Sequence, residues 1–386
     1  MAKDTEQKKP NLFLRILILA MTAALMLGAL FLVVNRDIYN LNTLKAWLSR
    51  RSLSADETGI GAAFSYSGGS KQSVTLLDDG ILFASDAGAR YYSLSGQLYN
   101  EEITPLENPV LTSAHKTGAV YDAGGEQLYL YRNGQKAFSL SLPDGGDLLS
   151  ARCNDSGWLA VTAQTSGYKG AVTVYDDVGA KVIEISLSST FAVDAAVSPD
   201  KKTVAVVTMG QVESSFESQL LLYPTDSDQP SATVSLGSSA VLNLEYEQNY
   251  IWVLTDDSLH ILSADGSSHA VYSFGRSYLK GCRLGGDGFA LLLLGHYRAG
   301  AATQAAVVGP DGSLLADLEL RDQILAYDAA GSRFALLTGD ELTLYSPDGQ
   351  VLSALNDPQG AKYMALSSDG FALLANQQEA WFYLPN

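Results

Sequence analysis

The sequence predicts an all-β fold, a β-propeller of four-stranded antiparallel blades behind an N-terminal transmembrane helix. Three observations predict it. A stretch near the N-terminus is apolar and uncharged, a turn-plus-strand unit recurs along the rest of the chain, and hairpin signals of the Asn-Gly and Asp-Gly type sit inside those units.

The apolar stretch comes first. Ile16 to Val34 runs nineteen residues without a charge between Arg15 and Arg36. At 1.5 Å per residue a helix of that length spans about 28 Å, close to the hydrocarbon thickness of a bilayer. A cleaved signal peptide would have a shorter apolar region and a small-x-small site, whereas Phe31-Leu-Val-Val34 runs straight into Asn35-Arg36. The expectation is therefore a retained signal-anchor over 16–35, preceded by a cytoplasmic tail over 1–15. Lys3, Lys8, Lys9 and Arg15 precede the span and Arg36, Lys45, Arg50 and Arg51 follow it, so charge alone nearly ties. The short tail and the large following domain favour tail inside, domain outside. Ile38, Leu41, Leu44 and Leu48 then recur at helical spacing around Trp47, which suits an interfacial juxtamembrane segment with a polar linker, together covering 36–58.

The remainder, 59–386, is a repeat. Strand starts follow turns at Ile81, Ala119, Trp158, Val204, Ile251, Phe289, Phe334 and Phe371, spaced 38, 39, 46, 47, 38, 45 and 37 residues apart. A second apolar strand follows each start and often ends in tyrosine, as in Leu128-Tyr-Leu-Tyr131 and Leu342-Thr-Leu-Tyr345. Arg132-Asn-Gly134, Ala264-Asp-Gly266, Pro310-Asp-Gly312 and Pro347-Asp-Gly349 then supply the positive φ angles that tight hairpins need. A unit of about forty residues with turns every 8–12 is the size of a four-stranded propeller blade. Eight starts give eight blades, with seven as the alternative. The last unit lacks its outermost strand, and Gly61 to Tyr66, alone before the first unit, is expected to supply it and close the ring.

Ser198-Pro-Asp200, Ser346-Pro-Asp-Gly349 and Ser367-Ser-Asp-Gly370 resemble the blade turns of WD40-like and Tol-B-type propellers, although the Trp-Asp dipeptide of true WD40 repeats is absent. One anchor followed by one divergent propeller resembles an uncharacterised family of Gram-positive bacterial membrane proteins. These motifs are structural turns, so the resemblance implies a fold and carries no activity.

Composition limits the partners. The chain has 386 residues, 47% hydrophobic and 17% charged, with 25 bases, 42 acids and a formal charge of −17. Without the tail, 21 bases face 40 acids. Such a domain repels phosphate backbones, so nucleic acid is not an expected partner. Cys153 and Cys282 fall at equivalent places in distant repeats, too far apart for a disulfide, and read as small buried residues.

No catalytic, cofactor or metal signature emerges. Three Ser-x-x-Lys matches, at Ser113–Lys116, Ser198–Lys201 and Ser277–Lys280, fall at strand ends rather than on the helix that this chemistry needs. His115, His260, His269 and His296 have no metal-ligand spacing, and Asp226-Ser-Asp228 lacks the rest of a calcium loop. The tryptophans do not recur as a quinone-docking blade motif would require.

One feature points to recognition. The three long spacings come from insertions between the second and third strands of a blade, at Ala163–Gly170, Met209–Ser218 and Gly295–Thr303. Equivalent loops of a propeller share one face, which would gather Tyr168, Lys169, Glu213, Phe216, Glu217, His296, Tyr297 and Arg298 there. The sequence thus predicts a single-pass protein of the cell membrane whose extracytoplasmic propeller binds or scaffolds a protein or glycan of the cell envelope. The alternative is a cell-envelope polysaccharide lyase or glycosidase with acids at the channel. A cluster of acids with histidine or tyrosine there would favour the enzyme, and a plugged channel the binder.

Overall fold

The computed structural model describes residues 53–143, 146–212 and 215–385, with residues 17, 19, 21, 22, 25 and 26. Among the described residues no helix is long and apolar enough to cross a membrane. The expected span from Ile16 to Val34 lies mostly outside them, as do Trp47 and Glu213.

The described chain forms eight four-stranded antiparallel sheets, each laid down in chain order from the axis outward except the last. The innermost strands of blades 1 to 8 are Ser73–Leu77, Pro109–Ser113, Leu148–Cys153, Phe191–Val197, Val241–Glu247, Tyr278–Gly286, Ala326–Ala330 and Tyr363–Leu366. Every strand start read from the sequence opens, within a residue or two, the second strand of a blade. Blade 8 takes its outermost strand from the other end of the chain, Phe64–Ser65, whose Phe64 pairs with Ala380 and Ser65 with Glu379. Ile60 adds an isolated bridge to Tyr383. The ring is closed by pairing its two ends, as expected.

The second strands read as continuous apolar runs because both faces of a blade are covered. Side chains alternate across a strand, so Ile81 and Phe83 pack against blade 8 while Leu82 and Ala84 pack against blade 2. Core clusters of this kind lie at every blade junction, including that between blades 8 and 1.

Strand alternation also sorts the connections. Turns joining first to second and third to fourth strands lie on one face, the turn face. Loops joining second to third strands share the opposite face with the blade-to-blade linkers, and this is the linker face. At Asn133-Gly134 the φ angles are 54° and 71°, as a two-residue hairpin demands.

Two expectations need correction. Met209–Ser218 is not a loop: strands Thr203–Val212 and Ser215–Pro224 continue through it as one long hairpin, with Gln211 opposite Phe216. Alternating side chains and cross-strand pairing make an extended ribbon cheaper here than an irregular loop, which would leave backbone groups unpaired. The cysteines share innermost strands, but Cys153 pairs with Leu159 one residue beyond Arg152, and Cys282 pairs with Leu292 one residue before Arg283. Both are free thiols and half-buried.

Candidate partner-binding face and channel

The linker face carries the inserted segments of blades 3, 4 and 6. Tyr168 is 51% exposed, Phe216 50% and Tyr297 78%. Lys169, His296 and Arg298 are exposed beside them, while Glu217 is half-buried and close to Gln219. Blades 3 and 4 are neighbours, so Tyr168, Lys169, Phe216 and Glu217 belong to one sector. Blade 5 separates them from His296, Tyr297 and Arg298.

The structure adds a residue that sequence reasoning missed. Phe191, the first residue of blade 4's innermost strand, is 56% exposed, and the Lys169 ammonium lies 5.1 Å from its ring centre. Lys169 Nζ also donates to the Ser189 carbonyl at 2.7 Å. This fixes the blade 3 loop against the linker between blades 3 and 4. Nothing local marks Phe191, because an apolar residue opening a strand looks like core.

Below this face a polar network crosses the channel. Arg152 Nε donates to Asp194 Oδ2 at 2.7 Å, and its Nη1 lies 3.6 Å from Glu245 Oε2. A further nitrogen of Arg152 donates to the Asn243 side-chain oxygen, so one guanidinium joins blades 3, 4 and 5. Asp194 also accepts from Ser150 Oγ at 2.6 Å and from the Ala195 N–H at 2.9 Å. Asn243 Nδ2 donates to Cys282 Sγ of blade 6 at 3.6 Å. Arg283 Nε then donates to Asp328 Oδ1 of blade 7 at 3.0 Å, and Asp328 Oδ2 accepts the Leu366 N–H of blade 8 at 2.8 Å. Burial opposes the charge on Arg152, but Asp194 and Glu245 hold its proton well above the usual range. Burial raises Glu245, with Arg152 partly offsetting it.

A second cluster occupies the turn-face mouth. His115 Nδ1 lies 3.2 Å from Asp155 Oδ2, and this hydrogen bond pushes the imidazole up to about 9. Asp287 acts on it too, from blade 6, which in a ring of eight stands opposite blade 2. Glu247 is pushed up to about 8, first by burial and then by the carboxylates of Asp287 and Glu245. His115, Asp155 and Asp287 lie in the turns that follow innermost strands and Glu247 ends one, so aligning the blades on those turns would have exposed them.

Two histidines distant in spacing also meet: His260 Nδ1 and His269 Nε2 are 2.8 Å apart on adjacent strands of blade 5. Burial and His269 lower His260 to about 4. Among the described residues no group of three or more His, Cys, Asp or Glu side chains is placed to hold a metal ion. The Ser-x-x-Lys matches fall at strand ends, with no helix beneath them.

A family model covers residues 57–354, most of the ring. The chain belongs to the family of unknown function DUF5711. No curated protein matches it. Among solved structures, the computationally designed Ika8 protein aligns with a TM-score of 0.55 at 12% identity, covering 83% of this chain and 98% of that one. The β-propeller domain of Myceliophteria thermophila Cps50 (Swd1) aligns with a TM-score of 0.51 at 10% identity, over 72% and 95% of the two chains. BamB from Moraxella catarrhalis scores 0.49 at 13% identity, over 83% and 95%. At such identities the likeness is one of fold. This DUF5711 member is an eight-bladed propeller, and what it does must be argued from its own surface.

Proposed function

We propose that this DUF5711 member is a membrane-anchored, extracytoplasmic binding or scaffolding module of the cell envelope whose linker face captures a protein or glycan. The observation that carries this reading is the gathering of exposed Tyr168, Phe191, Phe216 and Tyr297 on one face of a rigid ring. Aromatic side chains beside lysine and arginine are what recognition surfaces accumulate, and rigid scaffolds keep their ordering cost low. The channel supports the same reading. Arg152 and its partners span three blades, so the buried acids there serve as counter-ions. The uncharged run from Ile16 to Val34 supports the anchor.

Proximity labelling from the intact anchored protein tests partner and compartment together. Labelled envelope proteins that vanish when Tyr168, Phe216 and Tyr297 are all changed to serine are the expected result. Labelling confined to cytoplasmic proteins would overturn it.

One observation favours a second reading. Glu247, raised to about 8, shares the turn-face mouth with His115, raised to about 9, and strongly shifted titratable groups in a cleft suit acid–base chemistry. A polysaccharide lyase or glycosidase would use that mouth. Glu247→Gln should then abolish cleavage of envelope polysaccharide. Absence of cleavage by the unaltered protein removes the reading.

A further inference from the structure

Four successive innermost strands, in blades 3 to 6, are interrupted at the same place. Their pairing slips between Leu148 and Ser150, Ala192 and Asp194, Val241 and Asn243, and Leu279 and Gly281. Each slip is a β-bulge, and the extra residues are Leu149, Val193, Leu242 and Lys280. A bulge re-aims one side chain and is found preferentially beside functional sites. A lone bulge is ordinary; the same bulge in four neighbouring blades is a repeated device.

The four residues lie at the linker-face end of the channel, next to Phe191 and Tyr278, which open two of the same strands. Leu242 is 55% exposed and Tyr278 45%, with Leu149 also open to solvent. Leu149 and Leu242 are therefore held out in water by backbone geometry, while Val193 packs partly against the core between blades 4 and 5. Contiguous exposure of this kind marks interaction surfaces.

The nearby cations define the occupant further. Lys169 Nζ is hydrogen-bonded to the Ser189 carbonyl and Lys280 Nζ to the Arg298 carbonyl, at 2.7 and 2.9 Å. Neither ion-pairs with a carboxylate among the described residues, although acids far outnumber bases in this domain. Two oriented, un-neutralised ammonium groups beside an apolar collar complement an apolar group flanked by negative charge. At the centre of the collar Leu149 and Leu242 present branched aliphatic side chains with no polar atoms for hydroxyls, and an unmet hydroxyl is costly to bury. The aliphatic pair between two cations therefore selects an apolar side chain of a protein, even though the rings of Phe191 and Tyr278 stand beside it.

We propose that this collar seats an apolar turn or chain end of a protein partner, with Lys169 and Lys280 taking its flanking carboxylates. The inference rests on the reading of the linker face as the binding face and names the partner's chemistry.

The test is selection of a random phage-displayed peptide library on the immobilised full-length chain, followed by affinity measurements with the best synthetic peptide. Enriched peptides should pair a large apolar residue with Asp or Glu. Affinity should fall about tenfold or more in Leu149→Ser/Leu242→Ser and severalfold in Lys280→Gln, each with an unchanged thermal melt. Leu352→Ser, on an outermost strand, should bind as the unaltered protein does. No enrichment, enrichment of basic peptides, preferential binding of polygalacturonate, or unchanged affinity in the collar variants each overturns the proposal. If affinity instead falls only in Tyr168→Ser/Tyr297→Ser, the collar is wrong and the linker-face reading stands. If neither pair matters, both fail.

Discussion

Arg152 Nε lies 2.7 Å from Asp194 Oδ2, locking a guanidinium on the innermost strand of blade 3 to a carboxylate on that of blade 4. Arg283 and Asp328 repeat the relation between blades 6 and 7 at 3.0 Å. In both, the arginine stands two residues beyond the one that follows the bulge, Ser150 or Gly281, and reaches to the next blade.

Arg152→Met should cost stability of order 3 kcal/mol or more, because it strands the buried Asp194 without its counter-ion. Arg152→Met with Asp194→Leu should recover much of that loss. Arg283, about half exposed, should matter less when changed to methionine. Urea unfolding curves of the four proteins decide this.

The His115–Asp155 pair should stabilise the fold in a defined pH window. The folded imidazole titrates at about 9 against 6.5 for an ordinary histidine, so its contribution is complete below 6.5 and lost as pH rises through 9. Asp155 is held below the ordinary 3.8, through the His115 hydrogen bond against opposing burial, so its part is present above 3.8 and lost in stronger acid. His115→Gln should therefore melt below the unaltered protein near about pH 6, with the gap closing by about pH 10. Both groups are nearly half exposed, so the gap should be modest.

Glu247 has the opposite sign. Its folded pKa of about 8 exceeds the ordinary 4.5, so the folded state holds a proton that the unfolded chain has lost, and stability falls as pH rises between them. Glu247→Gln should be close to neutral at about pH 5 and gain on the unaltered protein by about pH 9, read from thermal melts across that range.

Replacing residues 296–303 with a short glycine turn should leave the melting temperature within a few degrees, since surface loops contribute little to stability. Partner capture should weaken. A large loss of folding would make the segment structural.

Removing residues up to Tyr66 should destabilise the ring and promote association. It strips blade 8 of Phe64–Ser65 and removes Tyr66, whose ring stacks on Phe83 at 4.2 Å. The Glu379–Tyr383 strand becomes an open edge. Light scattering with a thermal melt would register both effects.

The architecture was legible because a propeller repeats its local rules. Buried second strands such as Phe289–Gly295 must be apolar on both sides, and Asn133-Gly134 must supply positive φ, so the period is written in the residues. The candidate site was legible only in part. Tyr168, Lys169, Phe216 and Tyr297 stand out because insertions lengthen the spacing, whereas Phe191 and Leu242 sit inside ordinary strands and look like core. The Met209–Ser218 insertion was visible, but its form as a hairpin depended on which residues faced one another.

Sequence alone determined the blade period and pointed to eight units and to a partner for the unpaired final strand, because these follow from side-chain alternation and turn chemistry within some forty residues. The eight sheets of the structure decided the count against seven. Tertiary structure decided which charges meet. Arg152, Asp194 and Asn243 are distant along the chain and become neighbours only when three blades converge on one axis. Tertiary structure also decided which apolar residues stay in water: Leu149 and Leu242 belong to strands that pack into the blades, and the register shifts beside them turn them outward.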